Sequence, residues 1–291
     1  RPSPHSAAGG PPGSSTDPGR SMHLAGPDIF GPLRRSGGKV SQKMKRIARY
    51  LLLAVLLWLL FLVLSMVIPP LVHKTAGPGD WEAEPEMTDA APERVRSIDD
   101  NQDALLWRLR LIEAAQEQII LATFDFWDEE GGRDVMGALW NAAERGVEVQ
   151  VLVDGLNGGG RPLSSSDLFC QLAAHENVEV RLYNPLNLLA PWKTNYRMHD
   201  KYLIADDLAY LLGGRNTDNR FLGRYTDHYN VDRDILVYET EPGQGQSYRQ
   251  LRDYFHRIWS LPCCKVLDQP GEGEDLSLSL IHISEPTRRS Y

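Results

Sequence analysis

At 291 residues, with 42% of them hydrophobic, the chain can bury one sizeable core and still carry extensions. A formal net charge of −8 gives it no overall attraction to a polyanion such as nucleic acid. Its three cysteines, Cys170, Cys263 and Cys264, fall at no metal-ligand spacing, and they read as structural or free thiols.

Residues 1–43 are rich in Pro, Gly and Ser and show no apolar periodicity, so they are expected to be disordered. Met44, followed by Lys45-Arg46-Ile47-Ala48-Arg49 and then an apolar run, has the look of a natural start, which would make residues 1–43 upstream sequence. Tyr50 to Ile68 is almost uninterrupted Leu, Val, Ala, Trp, Phe and Met, about the length that crosses a bilayer. A core helix would carry a polar stripe, and this run has only Ser65. The alternative is a cleaved signal peptide, but no small-residue cleavage site follows, and an uncleaved signal-anchor over 44–74 is preferred. Arg34, Arg35, Lys39, Lys43, Lys45, Arg46 and Arg49 precede the run; Asp80, Glu82, Glu84, Glu86 and Asp89 follow it. By the positive-inside rule the N-terminus is expected in the cytoplasm and the remaining domain on the outer face. Pro69-Pro70 is expected to end the helix, and 75–97 reads as a solvated linker.

From residue 98 to 266 helix and strand signals alternate. Gln102 to Gln116 carries Leu105, Leu106, Leu109 and Ile112 at helical spacing, and Ile119 to Phe124 reads as a strand. Gly132 to Arg145 reads as a helix, Val147 to Val153 as a strand and Ser166 to Ala174 as a helix capped by serine. Val178 to Tyr183 and Asp234 to Glu239 are further strands, and Gln246 to Trp259 is a closing helix. The pattern implies an α/β domain with a mixed or parallel sheet and helices on both faces. Loops leaving two strands, Phe124 to Asp128 and Asp154 to Gly160, are plausible walls of a site, because ligands gather beyond the carboxyl ends of strands. Equally, their glycines could serve only tight turns. After Val266 the pattern dissolves, and 267–291 is expected to be an irregular, non-native tail.

The chemistry concentrates between Arg197 and Asn216. His199 and Lys201 stand two apart, so on an extended strand both leave the same face. Asp206 has the opposite parity and is expected to point away as a structural acid. Asp206-Asp207 signals a turn, after which Leu208 to Leu212 returns beside the first strand and brings Gly213, Gly214 and Asn216 back to the level of His199. Imidazole, ammonium and carboxamide then converge beside backbone that glycine leaves open. Such a cluster suits a phosphate, with imidazole to attack and the other two to hold oxygens. Lys193, Arg197, Lys201, Arg215, Arg220 and Arg224 surround His199 in sequence, which suggests a locally positive pocket sized for a phosphodiester head group. Trp192 or Tyr196 is a candidate for lining a lipid path, although such aromatics more often pack.

The spacing His-x-Lys, four residues, Asp, six residues, Gly-Gly-x-Asn resembles the HKD signature of the phospholipase D superfamily, and its Gly-Gly-x-Asn form resembles bacterial cardiolipin synthase-like proteins. The resemblance implies an α/β/α sandwich with a mixed sheet, preceded here by one transmembrane helix. It implies two-step phosphoryl transfer: His199 forms a phosphohistidine, and an alcohol or water displaces it. Lys201 and Asn216 would act with His199, and Gly213, Gly214 and Arg215 would bind substrate, Gly214 through backbone N–H. An acid hydrogen-bonded to the histidine fits Asp234 better than Asp232, the alternative being a turn acid ahead of the strand. No metal or cofactor is expected.

Family members pair two such motifs, in one chain or across a homodimer. His73, His175, His228, His256 and His282 lack the spacing, so a second half beyond this chain, or a partner copy, is implied. A membrane-anchored phosphatidyltransferase acting on phospholipid is the favoured activity. A phosphodiesterase or nuclease of the single-motif dimeric kind and an inactive fragment are the alternatives; nucleic acid is not favoured as a partner.

Overall fold

The computed structural model describes residues 37–72, 92–156, 166–241 and 244–267. The expected disordered segment up to 36, most of the linker, the glycine run after Leu156 and the tail from 268 lie outside the described residues.

Helix α1 spans Gly37–Val72. Its stretch Ser41–Pro69 is 29 residues long and holds an 18-residue window with a mean hydropathy of 3.1, long and apolar enough to cross a membrane. The helix does not stop at Pro69, as the sequence suggests, but runs through both prolines to Val72. Each proline there forgoes only the one N–H bond to the carbonyl four residues back, a loss confined to the last turns.

The α/β domain is built on one eight-stranded sheet. Its strands are β1 (Glu93–Ile98), β2 (Gln118–Thr123), β3 (Glu148–Asp154), β4 (Val178–Tyr183), β5 (Tyr202–Ala205), β6 (Ala209–Gly213), β7 (Asp234–Glu239) and β8 (Cys264–Val266). They lie in the order β1-β7-β6-β5-β2-β3-β4-β8. The pairs β2–β3 and β3–β4 are parallel and the rest antiparallel, so the sheet is mixed. Helices α2 (Asn101–Ala114), α3 (Glu130–Glu144), α4 (Asp167–Ala174) and α5 (Gln246–Trp259) cover it.

Strand periodicity divides the core in two. Ile119, Leu121, Val149, Val151, Leu203 and Leu211 face α2, α3 and α4, meeting Leu105, Ile112, Met136, Leu139 and Phe169. Ile120, Leu152, Ile204, Tyr210 and Val237 face the other way, against Tyr248, Phe255 and Trp259 of α5. Each buried Leu or Ile contributes about 1.5–3 kcal/mol, so both layers are needed. The result is the α/β/α sandwich that the alternation of elements predicts.

Two strands escape the sequence pattern. β1 occupies residues read as the end of the linker, because its Arg94-Val95-Arg96-Ser97 run is exposed and pairing with β7 is what makes it a strand. β8 is three residues long and, among the described residues, pairs with β4 alone. Asp100 caps α2 by accepting from the N–H groups of Gln102 and Asp103.

Candidate active site

The candidate residues meet at one end of the sheet, where β2 ends and β5 begins. The β5–β6 pairing continues beyond Tyr202↔Leu212, since Gly213 N donates to Lys201 O at 3.1 Å. Gly213 is paired with Asp234 of β7, and Asp234 with Ile98 of β1. Lys201, Gly213, Asp234 and Ile98 thus form one row across four neighbouring strands.

His199 is exposed and Lys201 is buried beside it. Lys201 Nζ lies 3.0 Å from His199 Nδ1 and donates to His199 O at 2.8 Å. Phe124, just past β2, packs its ring 4.8 Å from the imidazole, and the Lys201 ammonium sits 5.5 Å over the same ring. Burial pushes the Lys201 amine below its ordinary range, while Asp125, Asp200 and Asp232 oppose the shift.

Asn216 is held in the same corner. Its Oδ1 accepts from Asp125 N at 3.4 Å, which leaves Nδ2 as the donating group. Thr217 N donates to Asp125 O at 2.9 Å, and Trp127 N to Thr217 O at 3.0 Å, lacing the loop after β6 to the segment after β2. The structure therefore brings His199, Lys201 and Asn216 around one short stretch, Phe124-Asp125.

The two glycines before Asn216 answer to their neighbours. A Cβ on Gly213 would overlap the Asp234 carboxylate and approach Arg233 O and Asp234 Cα to 2.7 Å. On Gly214 it would overlap the carboxylate of Asp232.

Three expectations change here. Asp234 does not meet His199 through any bond in the structure; Arg108 pairs with it at 2.9 Å and Arg215 stands 3.5 Å away. Arg215 is 1% exposed and unavailable to a substrate. Its guanidinium donates to Asn101 Oδ1, Ile98 O, Asp99 O and Asp232 O, stitching β1 and α2 to the β7 end of the sheet. The positive surround is also largely spent: Arg197 pairs with Asp154, Arg220 with Asp218 and Asp125, and Arg224 with Asp100.

Asp206 lies at the far end of β5. Its φ of 51° is left-handed, and its carboxylate accepts from the N–H groups of Gln116, Glu117 and Gln118 at 2.8–2.9 Å.

The loops Phe124 to Asp128 and Asp154 to Gly160 are legible in sequence as walls of the site, but not the roles of the acids within them. Asp154, fully buried at the end of β3, accepts from Met198 N at 3.0 Å and Arg197 Nη1 at 2.9 Å, fixing the segment that presents His199. Burial pushes its carboxyl up, against the bonds from Leu156, Arg197 and Met198. Asp125 is raised as well, by burial first and then by the neighbouring Asp218. The signal in sequence is an acid at or just beyond the end of an apolar strand, Asp154 closing β3 and Asp125 two residues past β2.

The chain is 32% identical over 190 residues to cardiolipin synthase C of Escherichia coli (strain K12), an alignment covering 61% of this chain and 38% of that protein. It is 33% identical over 181 residues to cardiolipin synthase B of the same organism, covering 57% and 41%. Among solved structures, the phospholipase D family member Nuc from Salmonella typhimurium aligns over 61% of this chain and 98% of its own, at 16% identity and a TM-score of 0.45. The chain spans about two fifths of the length of the curated relatives it matches. The model described as "Cardiolipin synthase, PLD-like domain" matches residues 109–259, just over half of the chain, and the chain belongs to that family.

Proposed function

We propose that this domain is the nucleophile-bearing half of a membrane-anchored phosphatidyltransferase that works through a phosphohistidine. The observation that carries the reading is the exposed His199 imidazole with the buried Lys201 ammonium 3.0 Å from its Nδ1. The ammonium can only donate, so in the resting arrangement Nδ1 accepts and the ring proton is on Nε2. A phosphodiester entering the corner gives Lys201 a stronger acceptor. Nδ1 is then free to carry the proton, exchanged through solvent at this exposed ring, and the Nε2 lone pair faces phosphorus. Attack forms the N–P bond and breaks the P–O bond to the leaving alcohol. Lys201 and the Asn216 amide hold the non-bridging oxygens as charge builds. A second histidine, from a further half of the protein or a partner copy, protonates the leaving alkoxide and later deprotonates the acceptor alcohol.

A phospholipid substrate is supported by the membrane-length α1 and the family. The net charge of −8 and the ion-paired arginines offer little to a polynucleotide. The basic residues Lys43, Lys45, Arg46 and Arg49 at the start of α1 favour a cytoplasmic N-terminus and a domain on the outer face.

The test incubates the protein, with whatever continuation its reading frame encodes, with labelled phosphatidylglycerol and separately with labelled single-stranded DNA. Label transfer from the lipid, lost in His199→Ala, is the expected result. Cleavage of DNA with no lipid turnover would replace the reading, as would unchanged lipid transfer by His199→Ala.

A further inference from the structure

The loop between β4 and the start of β5 exposes an apolar set that the core does not explain. Leu186, Leu188 and Leu189 are 58%, 62% and 89% exposed, and Trp192 and Tyr196 are 40% and 55% exposed. Singly such residues are unremarkable, but five within eleven positions make a patch. From Asn184 to His199 the chain carries no acid and two cations, Lys193 and Arg197, although the whole has a net charge of −8.

The loop is also braced. Asn184, itself left-handed at φ 45°, donates from Nδ2 to Lys193 O at 2.7 Å and to Tyr196 O at 2.9 Å. Arg197 donates to Asn184 O and to the buried Asp154, and Asp154 also holds Met198 N. A 3-10 turn over Pro191–Asn195 leaves Trp192 40% exposed with its ring edge-on to Phe61 of α1, centroids 6.5 Å apart, and Asn195 Nδ2 donates to Met66 O at 2.7 Å. A loop held by this many bonds presents its apolar side chains at low further cost in order. Its last exposed aromatic, Tyr196, lies three residues before His199.

We propose that this loop is a membrane-docking surface, its leucines and aromatic rings seated in the interface of an anionic phospholipid leaflet. Trp and Tyr suit that depth, with an apolar body and a polar tip, and Lys193 meets the lipid phosphates. The inference rests on the phosphatidyltransferase reading for its choice of partner and adds how a head group reaches His199 without leaving the bilayer.

The test uses the full chain reconstituted in nanodiscs of phosphatidylglycerol and phosphatidylcholine, with and without bromine on the upper acyl carbons of the phosphatidylcholine. The difference in tryptophan emission between the parent and Trp192→Phe isolates Trp192 from the other indoles. Bromine is expected to quench that share. A Leu188→Asp/Leu189→Asp variant is expected to lose the quenching at an unchanged melting temperature, and Leu188→Phe/Leu189→Phe to retain it. Equal emission in brominated and plain discs overturns the proposal, and so does quenching that survives the aspartate pair. Shielding of Trp192 from both bromine and aqueous acrylamide overturns it in favour of a protein cover. No turnover is measured, so a chain that docks but transfers no phosphatidyl group sinks the enzymatic reading alone.

Discussion

Arg108 Nη1 lies 2.9 Å from Asp234 Oδ2, and the two side chains, 6% and 0% exposed, tie α2 to the first residue of β7. The same nitrogen also donates to Ala104 O at 3.0 Å. Removing one partner of a buried pair strands the other charge, at a cost of about 3–5 kcal/mol. Asp234→Ala is expected to lose that much in chemical denaturation, since it strands both Arg108 and Arg215. Arg108→Met is expected to lose less, because Arg215 remains 3.5 Å from the carboxylate. Asp234→Asn separates structure from chemistry. A pH profile of turnover that keeps its shape while melting falls supports the structural role. A shifted profile at normal melting would restore Asp234 as the acid that orients His199.

The adjacent glycines are expected to respond differently to the same added methyl. At Gly213 the new Cβ meets backbone, Arg233 O and Asp234 Cα at 2.7 Å, which cannot rotate away. At Gly214 the nearest atoms it meets are those of the Asp232 carboxylate, the end of a partly exposed side chain. Gly213→Ala should therefore cost about 1–3 kcal/mol, the range for forced overpacking. Gly214→Ala should stay within about 0.5 kcal/mol, the range of ordinary surface changes. Paired urea melts measure both, and equal losses would show that Asp232 is as fixed as the backbone.

Those two glycines show what sequence could and could not give. Their spacing from His199 placed the hairpin correctly, because strand parity and a turn signal are local properties of residues 199–216. The sandwich was legible for the same reason, since the apolar periods of β2, β3, β5 and four helices are each contained in one short window. The partners of Asp234 and Arg215 were not legible. Arg108 lies 126 residues from Asp234, and Arg215 reaches Asn101 across 114. Nothing local to a basic residue tells whether it faces substrate or a distant carboxylate. β1 was missed on similar grounds, being a strand only by virtue of β7.

Asp206 is expected to matter for stability and not for turnover. Its carboxylate serves three consecutive backbone N–H groups at the start of β2, with Gln116, Glu117 and Gln118 all within 2.9 Å. Asp206→Ala removes all three acceptors and puts alanine at φ 51°, where a Cβ is disfavoured. A loss of about 2–3 kcal/mol is expected, near the value of one bond to a charged group, because the exposed N–H groups of Gln116 and Glu117 can turn to water. Asp206→Asn, at home in the left-handed region and still an acceptor, should lose less than half of that. Both should retain the parental turnover per folded molecule, measured below their melting range. Normal melting with no turnover would move Asp206 into the chemistry.

Lys201 is placed where function and stability pull apart. Burial holds its amine below the ordinary lysine value of 10.5, with Asp125, Asp200 and Asp232 only opposing. The folded protein therefore binds fewer protons at this site than the unfolded chain between the lowered value and 10.5. Stability contributed by this group rises with pH across that window, and the penalty for the buried charge is fully present below it. Lys201→Met keeps an apolar stem against Phe124 and removes the charge, so it is expected to melt above the parent at pH 7. The difference should shrink as the pH rises from the lowered value to 10.5 and level off above it, where the parent's amine is neutral in both states. Turnover should fall by about 10²–10³, the usual loss when a donor to a developing oxyanion is removed. Thermal melts of both proteins across the alkaline range, with lipid transfer assayed at pH 7, test the pair of expectations. A variant less stable than the parent at pH 7 would show that the 2.8 Å bond from Lys201 Nζ to His199 O outweighs the desolvation of the charge.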